Sequence, residues 1–441
     1  MRPKAKPLSQ LGFYATFEEQ LSHKHPLYIL AGQVNWQVFE DAFLPMYSTE
    51  GRPAKPIRLM VALLMLKHLR NLSDESIVEQ WAENSYYQYF SGERCFAAGP
   101  PCEASELVHF RKRIGEAGIE LIFKESIRIN GKDGEEDNII VDTTVQEKAI
   151  TFPTDDKLYK KIITKCTKIA EAEGLPVRQS YRYVLKKLGY AQRFRNHPKN
   201  RGKARAADRK VKTIAGRLVR ELERNLAPGS RHLTKLELFK KVLSQKRSDS
   251  GKIYSLHEPE VQCISKGKEH KKYEFGNKAS IAYTQTTGVI VGAKGFRNEY
   301  DGHTLEGALQ QVEELVGKRP LTVTVDRGYR GRNYIGTTVV QTPKPFPKGT
   351  SRYRQGKLKR AFRRRAAIEP VISHVKSDHR MVRNFYKGIV GDNINILLSA
   401  AAFNFKRMMN KWKKAFLSLL KNLLAIFHLM GYRNSSALAI R

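Results

Sequence analysis

Residues 321–329, LTVTVDRGY, decide what kind of fold to expect. Apolar and β-branched residues of the kind that pack in a buried strand run up to Asp326, and a glycine-containing turn follows. A second stretch, residues 138–142 (NIIVD), has the same form and ends at Asp142, before two threonines. The sequence therefore predicts two buried strands, each with a carboxylate at its end.

Further strands and helices follow in a defined order. We predict strands at residues 273–284, 288–296 and near 337–341, a helix over 303–316, and a final helical region that contains Glu369. With residues 138–142 first, the order is strand, strand, strand, helix, strand, turn, strand, helix. This is the order of an RNase H-like α/β core, in which acids at the ends of the first and fourth strands and near the start of the last helix converge.

The three acids at those places, Asp142, Asp326 and Glu369, are the candidate catalytic and metal-binding residues. Carboxylate oxygens suit Mg²⁺ and Mn²⁺, and two such ions roughly 4 Å apart activate a nucleophile and stabilise a leaving oxygen in phosphodiester chemistry. Each acid taken alone is explained equally well by a strand-end turn or a helix start. Their joint order favours one metal site.

Positive charge is concentrated just before Glu369. The chain carries 79 Lys and Arg against 43 Asp and Glu, for a formal charge of +36, which favours a polyanionic partner such as DNA. Residues 348–365 (KGTSRYRQGKLKRAFRRR) alone hold nine Lys or Arg in eighteen residues. The candidate DNA contacts in and after this segment are Lys359, Arg360, Arg363, Arg364, Arg365 and Lys376.

Helical spacing relates three of these residues. If a helix ran on from Arg365, then Arg365, Glu369 and Lys376 would share one face. Pro370 predicts that the helix starts or kinks there instead, and the pairing of Glu369 with Lys376 holds in either case.

Composition and hydrophobic pattern predict four regions along the chain. Residues 1–130 form a helical, DNA-binding domain, in which helix-turn-helix and plain three-helix packing fit equally well. Residues 131–150 and 251–405 form the catalytic core, and 406–441 an amphipathic helical tail. Residues 151–250 are a basic helical insertion with 27 Lys and Arg against 9 Asp and Glu, half of the net charge of the chain.

Composition also indicates the cellular compartment in which the protein works. Four cysteines in this chain indicate a reducing environment, and residues 1–10 lack the apolar core of a secretory signal. The apolar stretch 416–430 is interrupted by Lys421, Asn422 and His428 and is too short to span a bilayer, which favours a helix packed on protein. We therefore expect no membrane partner and a cytoplasmic protein at the bacterial nucleoid.

Several blocks of the sequence resemble a known family. Residues 141–155 (VDTTVQEKAITFPTD), 324–331 (TVDRGYRG) and 363–376 (RRRAAIEPVISHVK) resemble the three catalytic blocks of bacterial insertion-sequence DDE transposases, most like the insertion-sequence-five family. Residues 52–81 resemble that family's N-terminal domain. Arg365, Glu369 and Lys376 fit its Tyr-x2-Arg-x3-Glu-x6-Lys signature, in which Phe362 replaces the tyrosine.

The resemblance implies a function and a set of partners. Asp142, Asp326 and Glu369 would bind two Mg²⁺ (or Mn²⁺) ions, and Arg365 and Lys376 would contact double-stranded DNA. The substrates would be the terminal inverted repeats of the element and its target DNA, bound by a homo-oligomer, a dimer. The alternative is a catalytically silent relative that binds DNA as a repressor or regulator. A basic RNA-binding or structural protein, indifferent to divalent metal, would also explain the charge.

Overall fold

The structure is a computed structural model that describes residues 15–246, 248–265, 271–329, 331, 333–343, 345 and 349–437, with side chains described as far as residue 418. The predictions for residues 1–10, for Lys348 and for the side chains beyond 418 fall outside the described part. The chain divides into two compact units. The main unit comprises the residues up to Gln146 and from Lys278 onward, and the inserted unit is Glu147–Asn277.

Fifteen helices lie within the described residues. In chain order they are α1 Phe17–Gln20, α2 Pro26–Gln33, α3 Trp36–Phe43, α4 Ile57–Leu69, α5 Asp74–Glu83, α6 Ser85–Phe90, α7 Ala104–Ile129, α8 Asp155–Ala172, α9 Arg182–Ala191, α10 Pro198–Asn225, α11 Leu233–Ser244, α12 Asp301–Val316, α13 Arg352–Arg365, α14 Ile368–Asp378 and α15 Gly388–Ala437. Helix α12 begins two residues before the predicted start at 303.

The same part of the chain contains eight strands, which include the five predicted ones. They are β1 Asn138–Lys148, β2 Gln262–Ile264, β3 Glu274–Thr284, β4 Ile290–Phe296, β5 Thr322–Thr324, β6 Tyr334–Ile335, β7 Thr338–Gln341 and β8 Arg383–Asn384. Strand β1 is longer than the predicted 138–142, and β5 is shorter than the apolar run that contains it.

The strands form one mixed sheet. Its order is β2-β3-β1-β5-β7-β6, with β4 also paired to β3 and β8 to β1. Strand β5 runs parallel to both β1 and β7, whereas β3 and β4 are antiparallel, as are β6 and β7. Strand β2 pairs antiparallel with the first residues of β3, within the inserted unit. The chain is thus a mixed α/β protein with parallel strands at the centre of its sheet.

The N-terminal helices and the sheet share one hydrophobic core in the main unit, so the predicted boundaries at 130 and 405 do not coincide with breaks between compact units. Helix α4 is the physical reason. Nearly all of its residues are buried, and a helix without a polar face must be covered on every side. Helix α15 packs against both α4 and α7, and it continues through residue 405 without interruption.

The inserted unit has a core of its own, built mainly from α8, α10 and α11. The periodic apolar residues predicted to face a core are buried in it, among them Ile162, Cys166, Val211 and Leu218. The unit is wider than the predicted insertion 151–250, because Ile253 and Leu256 belong to the same apolar cluster. Most of the basic stretch 193–210 is helical, since α10 begins at Pro198.

None of the helices in the described part of the chain combines the length and apolarity needed to cross a bilayer.

Candidate active site

Two of the predicted acids follow the paired parts of two neighbouring parallel strands. Strands β1 and β5 pair with Asn138 opposite Thr322 and Ile140 opposite Thr324. Asp142 lies within β1, two residues beyond this pairing, and Asp326 lies two residues beyond the end of β5. The carboxyl ends of parallel strands are where α/β proteins commonly bind ligands.

Asp326 lies in the turn that ends β5. Its Oδ1 accepts a hydrogen bond from the backbone N–H of Gly328 at 2.7 Å. Gly328 fits this turn closely, because a Cβ at that position would lie 2.9 Å from Asp326 Oδ1. The turn therefore fixes the carboxylate beside the backbone and leaves its second oxygen for another partner.

A fourth acid, Asp301, is also placed here, and sequence reasoning missed it. Asp301 opens α12, and its Oδ1 accepts hydrogen bonds from Thr143 Oγ1 and Lys278 Nζ, both at 3.0 Å. Lys278 and Asp301 are mostly buried and form an ion pair. The available signal was its position between a predicted strand and the predicted helix 303–316.

Tyr329, which follows Asp326 in a 3₁₀ turn, is buried among these acids. Burial and then the negative charges of Asp301, Asp142 and Asp326 raise the pKa of Tyr329 well above its ordinary value of 10. Burial disfavours the charged phenolate, and negative charges in the vicinity disfavour it further. The buried Tyr329 hydroxyl thus lies within electrostatic range of these three acids.

The basic segment 348–365 contacts these acids through Arg365, its last residue. Arg365 ends α13, and its Nη1 lies 3.7 Å from Asp142 Oδ2, with both side chains largely shielded from solvent. None of the α13 residues is buried as a whole, and Lys359, Arg360, Arg363 and Arg364 are all exposed. Helix α13 therefore presents exposed cations to solvent and ends at an acid of the site.

The helix does not continue from Arg365 to Glu369. Helix α13 ends at Arg365, and α14 begins at Ile368 with Pro370 in its first turn, where proline is tolerated. Arg365 and Glu369 therefore lie on different helices, and the shared face applies only to Glu369 and Lys376. Glu369 is exposed.

The donor atoms of these acids determine which metal ions they could hold. Asp142 and Asp326 supply the hard oxygen donors that Mg²⁺ and Mn²⁺ prefer, at one edge of the sheet. In the described part of the chain, no three His, Cys, Asp or Glu side chains are gathered closely enough to hold a metal ion. Asp142, Asp326 and Glu369 therefore do not form one compact group in this structure. The two strand acids fit a metal ion as part of a larger donor set.

The fold and this part of the sheet define a class of α/β proteins in which the carboxylates of two neighbouring parallel strands lie beside a strongly cationic helix. Comparisons with known proteins narrow that class. Residues 15–113 match the family model "Transposase domain (DUF772)", and residues 249–405 match "Transposase DDE domain". The second match includes Asp326 and Glu369, whereas Asp142 lies between the two matched regions.

One curated relative is similar to part of this chain. An uncharacterized protein, ORF8 in the nfe locus of Rhizobium meliloti, is 40% identical over 182 residues, which cover 40% of this chain and 88% of the relative. No solved structure gives a significant match. The chain belongs to the DDE-domain transposase family.

Proposed function

We propose that the protein is the transposase of an insertion sequence, cutting the terminal inverted repeats of its element and joining them to target DNA. Its sheet would then be an RNase H-like core, and the protein would be a member of the insertion-sequence-five family. The observation that carries the proposal is the parallel pairing of β1, which contains Asp142, with β5, which leads to Asp326, in a chain whose residues 249–405 match a transposase DDE domain.

Asp142, Asp326 and Glu369 are the residues proposed to hold two divalent ions, Mg²⁺ or Mn²⁺. When bound, such ions lower the pKa of an attacking water or hydroxyl and stabilise the leaving oxygen of the phosphodiester. Glu369 completes the set by a movement of α14 toward the strand ends. The exposure of Glu369 and the break before α14 support such a movement.

Arg365 has two roles in this scheme. Its guanidinium neutralises part of the negative charge at Asp142 in the free protein. On DNA it contacts a phosphate instead, because a guanidinium forms strong paired hydrogen bonds with phosphate oxygens. The exchange couples DNA binding to the release of Asp142 for catalysis.

The exposed cations of α13 hold the DNA backbone leading to the site. Lys359, Arg360, Arg363 and Arg364 lie in the last two turns before Arg365, so a strand bound along them is guided to Asp142. Lys376, on the same face of α14 as Glu369, contacts the same DNA. The protein acts as a dimer, at the nucleoid in the cytoplasm.

A metal-dependence assay tests the proposal. The full chain is incubated with a duplex that carries one end of the element, in Mg²⁺, Mn²⁺, Ca²⁺ or excess EDTA. We expect cleavage in Mg²⁺ and Mn²⁺, and binding with little cleavage in Ca²⁺, which is larger and less strict in its coordination. Cleavage at full rate in EDTA, or binding without cleavage under every condition, would contradict it. The second outcome would favour a DNA-binding regulator.

A further inference from the structure

A separate cavity lies in the main unit, formed by the end of α4, the start of α5, α7, the segment between α14 and α15, and the first two turns of α15. It has a volume of about 710 Å³, and none of the four acids of the candidate active site lines it. This volume lies within the range of pockets that hold small ligands. Its lining combines a buried charged base, a cationic rim and an exposed aromatic ring.

The base of the cavity is a buried ion network. Lys67 Nζ donates to Asp74 Oδ1 and to the Tyr386 hydroxyl, both at 2.8 Å, and Arg111 donates to both oxygens of Asp74 at 2.7 and 2.8 Å. Although burial opposes it, the pKa of Asp74 falls to about 2 through Arg111 and Lys67. One carboxylate thus serves two buried cations, and the base retains excess positive charge.

The rim adds cations without matching acids. Lys112, Arg380, Arg383 and Lys387 line the cavity, against Glu75 as the acid outside the network. Arg380 has a backbone φ of 68°, in the left-handed region that residues with a side chain rarely adopt. Asn395 holds this conformation by donating from Nδ2 to the Arg380 carbonyl at 3.1 Å. Backbone strain of this kind is concentrated at ligand sites.

An aromatic ring stands at the same rim. Phe385 is 65% exposed, and Val390 beside it in the lining is 54% exposed. The guanidinium carbon of Arg380 lies 5.9 Å from the centre of the Phe385 ring, so the cation and the ring face one space. A ligand that satisfies both features has a planar apolar group joined to an anion.

We propose that this cavity binds a nucleotide, with its phosphate held by Arg380, Arg383 and Lys387 and its base stacked on Phe385. Stacking on an aromatic side chain tolerates any base, and phosphate contacts carry no sequence information. A base inside a duplex is already stacked on both faces. The ligand is therefore an unpaired nucleotide, either free or within a DNA strand.

The test uses 2-aminopurine deoxyribonucleoside monophosphate, whose fluorescence changes when its base stacks, titrated with the full chain in EDTA. We expect R383A/K387A to weaken binding at least about tenfold, the loss typical of charge-assisted contacts. F385L should weaken it by roughly fivefold or more and remove the fluorescence change. The matched control K124A/K132A removes two exposed lysines of the main unit that do not line the cavity, and should bind within about twofold of the parent.

Competition distinguishes the two sources. Unlabelled single-stranded oligonucleotide that displaces the probe more strongly per nucleotide than dAMP assigns the pocket to a DNA strand, and the reverse order assigns it to a free nucleotide. The proposal is overturned if the R383A/K387A and control proteins bind equally, if inorganic phosphate competes as well as dAMP while F385L has no effect, or if millimolar probe does not bind. Because the assay involves no cleavage, its failure is distinct from failure of the proposed transposase activity.

Discussion

The acids on the strands and the acid on the helix are positioned by different parts of the fold. Asp142 and Asp326 are placed by the parallel register of β1 and β5, which are buried at the centre of the sheet. Glu369 follows a break between two helices and is exposed. Backbone hydrogen bonds thus fix the first pair, whereas the third acid depends on how α14 packs.

The difference shows which part of such a site is built in advance. Register between buried strands is strongly specified, because a slip of one residue would turn every core side chain outward. Helix α14 is anchored by only three fully buried residues, Ile368, Val371 and Val375. We therefore expect the strand pair to be rigid and the helix acid to be the adjustable member.

The largest effect we expect comes from the rigid pair. Asp142→Asn or Asp326→Asn keeps the shape of the side chain and removes a negative ligand, so cleavage and strand transfer should fall by at least about 10³-fold. Binding to the end-containing duplex should persist or tighten, because a negative charge near phosphates has gone. The double variant should cleave no more slowly than either single variant. A variant that still cleaves within a few-fold of the parent removes its residue from the catalytic set.

A second prediction concerns the helix that leads to the acids. Changing Lys359, Arg360, Arg363 and Arg364 together to alanine should weaken duplex binding by roughly 10²-fold. It should also lower the slope of log affinity against log salt by about 0.9 per lost phosphate contact. The matched comparison is a fourfold change of exposed α10 cations, Lys199, Arg201, Lys203 and Arg205.

We expect the α10 change to weaken binding as well, since the inserted unit carries much of the positive charge, but by less, because α13 is the helix that ends at Asp142. Salt-titrated gel shifts measure both slopes. Unchanged slopes in both variants would mean that these charges serve only solubility.

A third, smaller effect separates Arg365 from its neighbours. Arg365→Ala should reduce binding and cleavage together, by on the order of 1–3 kcal/mol for a charge-assisted contact. Arg365→Lys should restore part of the binding and less of the cleavage, because lysine keeps the charge but lacks the paired geometry. Equal recovery of both activities would show that only the charge of Arg365 matters.

The smallest effect is on stability at high pH. The raised pKa of Tyr329 means that the folded protein keeps the phenolic proton where the unfolded chain loses it. Its contribution is fully present below pH 10, the ordinary tyrosine value, and is lost as pH rises above it. Tyr329→Phe should therefore leave the pH profile of unfolding unchanged up to about pH 9 and flatten its decline above pH 10. Identical curves above pH 10 would show that folding does not raise the pKa of Tyr329.

The sequence predicted the elements of this comparison better than their packing. Buried strands at the two predicted places, β1 and β5, follow from local β-branched runs, although β1 continues past Asp142 to Lys148 and β5 stops before Asp326. The adjacency of the two strands follows from the order of elements. The break before Ile368 could be predicted only as a start or kink at Pro370. The ion pair of Asp301 with Lys278 and the shared core of α4 and α15 depend on contacts between distant segments, which no local pattern contains.

The central claim is that Glu369 is the third metal-binding acid beside Asp142 and Asp326. Asp301, which accepts a hydrogen bond from Thr143 next to Asp142, is not a metal ligand in this account. The direct measurement is the rate of Mg²⁺-dependent cleavage of one end-containing duplex by Glu369→Gln and Asp301→Asn, with binding measured on the same duplex. We predict that Glu369→Gln loses at least about 10³-fold in rate with binding retained. Asp301→Asn, which loses its ion pair with Lys278, should lose no more than about tenfold. The reverse order would contradict the account and assign the third position to Asp301.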